Sequence, residues 1–221
     1  MKEYNNISAL EKAESPGNYN IIYSRRKSNY LIFTPHGGGI EQGTSEICTT
    51  IANDTHSCYI FEGKLNRNCM RLHIASHRFD EPILMELLRE YDYGISIHGM
   101  TTQTKNDVGA DIYLGGLNKS LISITTEVLS EYNFDSTNNI INPSSALSGK
   151  DKQNITNRCA RGAGMQIEIS ENLRKLFFER DFRKSRNREL GKTKAFYDFC
   201  EAINKAIFQF NDQNEQKNNG L

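Results

Sequence analysis

Short apolar runs rich in Ile, Tyr and Phe recur along this chain, and the segments between them carry apolar residues at helical spacing. Runs of that kind are buried most readily as strands inside a sheet, and the amphipathic segments supply the helices that cover it, so the pattern specifies an α/β domain. Strands are predicted at Tyr19–Tyr23, Tyr30–Thr34, Cys58–Glu62, Arg71–Ala75, Tyr93–Ile97, Asp111–Leu114 and Met165–Ile169. Helices are predicted at Glu81–Tyr91, with Asp80 as N-cap and Pro82 in the first turn, at Lys119–Tyr132 and at Lys194–Phe210. Another begins near Ser45 and stops before Asp54. From Asn138 to Arg161 the sequence reads as an extended loop, a kind of segment that often carries function. Nothing interrupts residues 1–210, which form a single domain, and the polar Asn/Gln-rich residues 211–221 form a flexible C-terminal tail.

Lys plus Arg and Asp plus Glu both number 27, so the summed charge attracts neither a polyanion nor a polycation, and a charged substrate has to be steered by local patches. No run is long enough to span a bilayer. The first fifteen residues include Lys2, Glu3, Glu11, Lys12 and Glu14 and no apolar core, which predicts cytoplasmic synthesis without a signal peptide, with action outside the cell after lysis still open. The five cysteines are scattered, odd in number and free of any Cys-x-x-Cys pair, which argues against a disulfide framework and a thiolate zinc site.

Chemistry concentrates where the strand Tyr30–Thr34 runs into Pro35-His36-Gly37-Gly38-Gly39-Ile40-Glu41, at a strand's carboxyl end, where open α/β sheets keep their sites. Three glycines let the backbone fold tightly enough for His36 and Glu41 to face one centre. His98 has the same placement after Tyr93–Ile97, and two histidines with one carboxylate make the three protein ligands of a catalytic zinc site. Glu168 lies mid-strand in Met165-Gln166-Ile167-Glu168-Ile169, opposite in facing to its apolar neighbours, and is the candidate general base. Each residue also has a plainer reading. His36 can cap a loop, Glu41 can be a solvated carboxylate, His98 a satisfied core histidine, and Glu168 half of a buried ion pair. Glu46 rivals Glu41 as a ligand, although a place in the first turn of a helix suits it better. Cys159, between two arginines, is a weaker nucleophile candidate.

The run His36 to Glu46, Ser96-Ile97-His98-Gly99, Leu114-Gly115-Gly116-Leu117 and the segment Arg158 to Ser170 resemble, in order, the signature blocks of the poly-gamma-glutamate hydrolases of bacteria and their phages. That resemblance extends over roughly residues 20 to 210. It implies a fold similar to zinc carboxypeptidases, one Zn²⁺ on His36, Glu41 and His98, a catalytic Glu168, and cleavage of γ-glutamyl amide bonds. Such a polymer has a free carboxylate on every residue, which arginine grips in bidentate fashion, and Arg158 and Arg161 are the candidate substrate-binding residues. Two rivals remain: a zinc amidase acting on another γ-glutamyl amide such as a peptidoglycan stem peptide, and a noncatalytic phage accessory protein binding nucleic acid through the basic stretch Arg174–Lys194. The hydrolase reading expects no nucleic-acid partner, no membrane contact and a monomer, and takes the basic stretch as a solvated helical face.

Overall fold

A computed structural model describes residues 4–101, 112–134, 136–137 and 146–219. Within it the apolar runs pair into one sheet built from β1 (Tyr19–Ser24), β2 (Tyr30–Gly38), β3 (Ser57–Gly63), β4 (Tyr93–Met100), β5 (Ile112–Gly116), β6 (Ser136–Thr137) and β7 (Met165–Ser170). Across the sheet the order is β1-β3-β2-β4-β7-β5-β6. The pairs β3/β2, β2/β4, β4/β7 and β5/β6 are parallel, whereas β1/β3 and β7/β5 are antiparallel, so the sheet is mixed and mostly parallel.

Seven helices accompany these strands among the described residues: α1 (Ile7–Ala13), α2 (Thr44–Ala52), α3 (Pro82–Glu90), α4 (Lys119–Glu131), α5 (Glu171–Leu176), α6 (Ser185–Leu190) and α7 (Lys194–Asn219). Strand alternation explains the layering. Tyr30 and Ile32 face a core shared with Ile47 and Ile51 of α2, Val128 of α4, and Phe199 and Ile203 of α7. Leu31 and Phe33 face the other side, against Leu10 of α1 and Leu84, Leu87 and Leu88 of α3. A side chain as completely buried as Phe33 stabilises by about 1.5–3 kcal/mol relative to an exposed one. The chain leaves β2 through α2 to reach β3 on one side, then returns through α3, on the opposite face, to β4 on the other side. The carboxyl ends of β2 and β4 therefore flank a topological switch point, where such sheets leave a crevice.

Four details depart from the sequence reading. Arg71–Ala75 is not a strand: a 3-10 turn spans Cys69–Leu72, and the alternation arises because Leu72 and Ile74 are buried from irregular backbone. The N-cap of α3 is Glu81, whose carboxylate accepts from the Ile83 and Leu84 amides, while Asp80 accepts from the Ile7 amide at the start of α1. The helix assigned to Lys194–Phe210 continues to Asn219, so Phe210 does not end it, and the Tyr30 hydroxyl donates to Asn211 Oδ1 at 2.5 Å. Finally α1, α5 and α6 are additional short helices. Asp111, part of the predicted loop (138–145) and the last two residues of the predicted tail lie outside the described residues.

Candidate metal centre and its cleft

β2 does not stop at Thr34. It shifts register between Thr34 and Gly37 and goes on pairing with β3 through Gly37 and Gly38, carrying His36 as a strand residue. The glycines serve close packing more than tight turning: a Cβ on Gly37 would sit 2.4 Å from Ser45 Oγ, and one on Gly38, where φ is +64, 2.5 Å from the Gly63 carbonyl. The turn comes next. The Glu41 amide donates to the His36 carbonyl at 2.9 Å, which folds Glu41 back over His36, and the Thr44 hydroxyl donates to the Glu41 carbonyl at 2.8 Å as α2 begins.

His98 reaches the same point from β4, next to β2, and Glu168 is its register partner on β7. His36, Glu41 and His98 are all buried, and their ligand atoms lie within 4.8 Å of one another. His36 Nε2 is 2.8 Å from the Ile74 carbonyl, an acceptor, so Nε2 carries a hydrogen and Nδ1 is the nitrogen that faces Glu41 and His98. That Nδ1 stands 2.9 Å from Glu41 Oε1 and 3.2 Å from His98 Nδ1, and Glu41 Oε2 is 3.6 Å from His98 Nδ1. A carboxylate and two imidazole nitrogens crowded in this way need a positive charge among them, a proton or a metal ion. Ligands at zinc distances and tetrahedral angles are separated by about 3.3 Å, within the spread found here, so the donor set fits a tetrahedral metal with one position left over.

Burial opposes the ionised form of Glu41, yet His36 and His98 outweigh it and hold the carboxyl well below the usual range. Burial likewise opposes charge on His98, and Glu168 and Glu41 override it and raise its pKa. Glu168 itself is pushed up to about 7, first by burial and then by Glu41, against the pull of His98 and Arg174. The Gln166 side-chain amide donates to Glu168 Oε1 at 3.0 Å. All four site residues line a cleft of about 740 Å³, whose lining also includes Leu147 to Asp151 and Asn154.

Residues 4–202 match the sequence profile of the poly-gamma-glutamate hydrolases. The chain belongs to that family. Among its relatives, the UPF0714 protein YmaC of Bacillus subtilis is 34% identical over 201 residues, 90% of this chain and 81% of YmaC. A bacteriophage poly-gamma-glutamate hydrolase of known structure superposes with a TM-score of 0.86 at 35% identity, covering 95% of this chain and 98% of the phage enzyme. A zinc-free form of YndL gives a TM-score of 0.84 at 30% identity, with 93% and 98% covered. YndL is also a Bacillus subtilis protein.

Within this hydrolase fold, Arg158 and Arg161 do not line the cleft. Arg161 reaches Asp92 and lies over the Tyr93 ring, at the amino end of β4 and so at the opposite end of that strand from His98. Arg158 is tied to the Gln153 and His77 carbonyls. The cleft's permanent cations among the described residues are Lys150 and Arg174 instead. Arg174 and Arg188 also correct the reading of their basic stretch as a solvated face, because both are buried. His73 is a further site residue: its ring centre is 4.1 Å from that of His36, and burial together with His36 pushes its pKa down to about 3, so it stays neutral. Its sequence setting gave no hint, since it belongs to no strand end.

Glu46 is not part of the converging group. Its Oε1 accepts from Arg188 Nε at 2.8 Å, and that arginine also donates to the Phe182 carbonyl. Glu46→Ala is expected to retain bound zinc but to lower folding stability by about 3–5 kcal/mol, because it strands a buried guanidinium. Metal analysis alongside chemical denaturation checks both halves of that expectation.

Proposed function

We propose that this chain is a zinc-dependent hydrolase of the γ-glutamyl amide bonds of poly-gamma-glutamate, with His36, Glu41 and His98 as the metal ligands and Glu168 as the proton carrier. The observation that carries the reading is the meeting of ligand atoms from His36, Glu41 and His98 beside Glu168, in a cleft of a poly-gamma-glutamate hydrolase family member. Two imidazoles and a carboxylate with one open position are the donor set of carboxypeptidase-like zinc centres. Zinc bound there supplies Lewis acidity, polarising the amide carbonyl and lowering the pKa of water.

The protein groups do the rest. The Ile74 carbonyl fixes the His36 tautomer so that Nδ1 faces the centre, and the Gly99 amide steers Glu41 by donating to Oε2 at 2.7 Å. Glu168, with Oε1 held by Gln166, takes the proton of the attacking water and delivers it to the leaving amine nitrogen. Arg174 is committed to main-chain carbonyls, which leaves Lys150 in the cleft lining to meet the free carboxylates of the polymer.

The test is incubation of purified protein with poly-gamma-glutamate, followed by gel filtration of the products. Shortening of the polymer is expected, stopping on removal of metal by a chelator and returning when zinc is added back. Cleavage that continues at full rate in the chelated protein would remove zinc from the reading. Peptidoglycan run in parallel separates the substrates: release of stem-peptide fragments with intact poly-gamma-glutamate would reassign the enzyme to the other γ-glutamyl amide.

A further inference from the structure

Arg174, in α5, is 3% exposed and donates to three main-chain carbonyls: Nε to Ile169 at 3.1 Å, Nη1 to Gln42 at 2.6 Å and Nη2 to Met100 at 3.1 Å. The acceptors follow a pattern. Ile169 comes directly after Glu168, Gln42 directly after Glu41, and Met100 two residues after His98. One planar fork thus ties the turn after β2 to the carboxyl ends of β4 and β7, which are already paired with each other. The neighbouring positions leave room for it. A Cβ on Gly99 would lie 2.5 Å from Arg174 Cζ, and the guanidinium stands over the Phe182 ring at 5.9 Å. Burying an arginine whose three hydrogen bonds go to neutral carbonyls is costly, and Arg174, like Glu168, lines the cleft.

We infer that Arg174 is a positioning residue of the metal centre, acting through the backbone to set Glu41, His98 and Glu168 relative to one another. The inference rests on the ligand assignment above. Metal affinity depends on how firmly ligands are held before the metal arrives, and loss of an orienting partner typically weakens binding 10-fold to 100-fold. Arginine is required because its donors form a rigid fork, whereas a lysine ammonium is a single point that cannot span three separate carbonyls.

The experiment compares wild type with Arg174→Lys, which keeps the charge and loses the fork. Zinc affinity is measured by competition with a chromophoric chelator, thermal unfolding on the metal-free proteins, and kcat and KM on the zinc-loaded ones. Arg174→Lys is expected to bind zinc about 10-fold to 100-fold more weakly and to show a lower kcat with KM changed little. Wild-type zinc affinity in a folded variant overturns the inference, whether its unfolding temperature is lowered or not. A raised KM with zinc affinity intact also overturns it and makes Arg174 a substrate-binding group. Should Arg174→Lys fail to fold, Gly99→Ala decides, since its Cβ would press on Cζ, Nε and Nη1 of the guanidinium at 2.5–2.8 Å, and unchanged zinc affinity there overturns the inference as well. A wild-type protein that binds no zinc would overturn the ligand assignment itself, an outcome distinct from all of these.

Discussion

Glu168→Gln is expected to keep zinc at near-normal occupancy while turnover falls by about 100-fold to 10,000-fold, the usual loss for a missing general base. The substitution preserves shape and leaves an oxygen able to accept from Gln166, so the strand around it has no reason to move. What disappears is the basic oxygen. KM should change little, because the carboxylate acts chiefly in the transition state, and the drop should exceed the stated range if the same group also serves as acid for the leaving nitrogen. Zinc content, substrate affinity and rate on this variant distinguish the cases. Loss of zinc would make Glu168 a ligand, unfolding would make it a structural partner of the buried centre, and undiminished turnover would leave the proposed chemistry without its base.

His98→Ala and His36→Ala should go further and remove both zinc and activity, taking turnover down to that of the chelated wild type. Each deletes one of three ligands, and the two that remain cannot complete the three-ligand set of a catalytic zinc site. His36→Ala has an added cost, since the Ile74 carbonyl loses its only side-chain donor given by the described residues and is left buried. The measurement is metal content and residual rate on folded protein. Retention of a full equivalent of zinc by either variant would show that the ligand set is different from the one assigned. Glu41→Ala belongs with this pair and Glu46→Ala does not, a contrast that separates the two carboxylates of the same turn.

Much of this was legible before any coordinates, and the exceptions share a cause. The strands Tyr30–Thr34, Tyr93–Ile97 and Met165–Ile169 announce themselves because a central strand is buried on both faces and so is built largely from Ile, Leu, Phe and Met. His36, His98 and Glu168 then stand out as polar residues at the ends or middle of such runs, and the structure does bring them together with Glu41. Arg71–Ala75 misleads since alternating burial of Leu72 and Ile74 looks the same from a loop as from a strand. Arg174 is hidden for a different reason: its partners are backbone carbonyls, which leave no mark in sequence, so a buried clamp resembles one more charge in a basic stretch. Arg158 and Arg161 look well placed by distance along the chain to Glu168, but the turn before β7 carries Arg161 to the amino end of the strands.

The pairing of β2 with β4 has a consequence for the order of assembly. His36 and His98 meet across adjacent parallel strands whose contact closes a chain segment of some sixty residues, so neither can find the other until that crossover is complete. Because side chains alternate along a strand, slippage of β4 by one position against β2 would turn His98 to the opposite face of the sheet. Metal uptake would then be a late event that proofreads strand alignment: chains trapped with the central pair out of step could hold their secondary structure and still be distinguished from correctly folded ones by their inability to capture the ion.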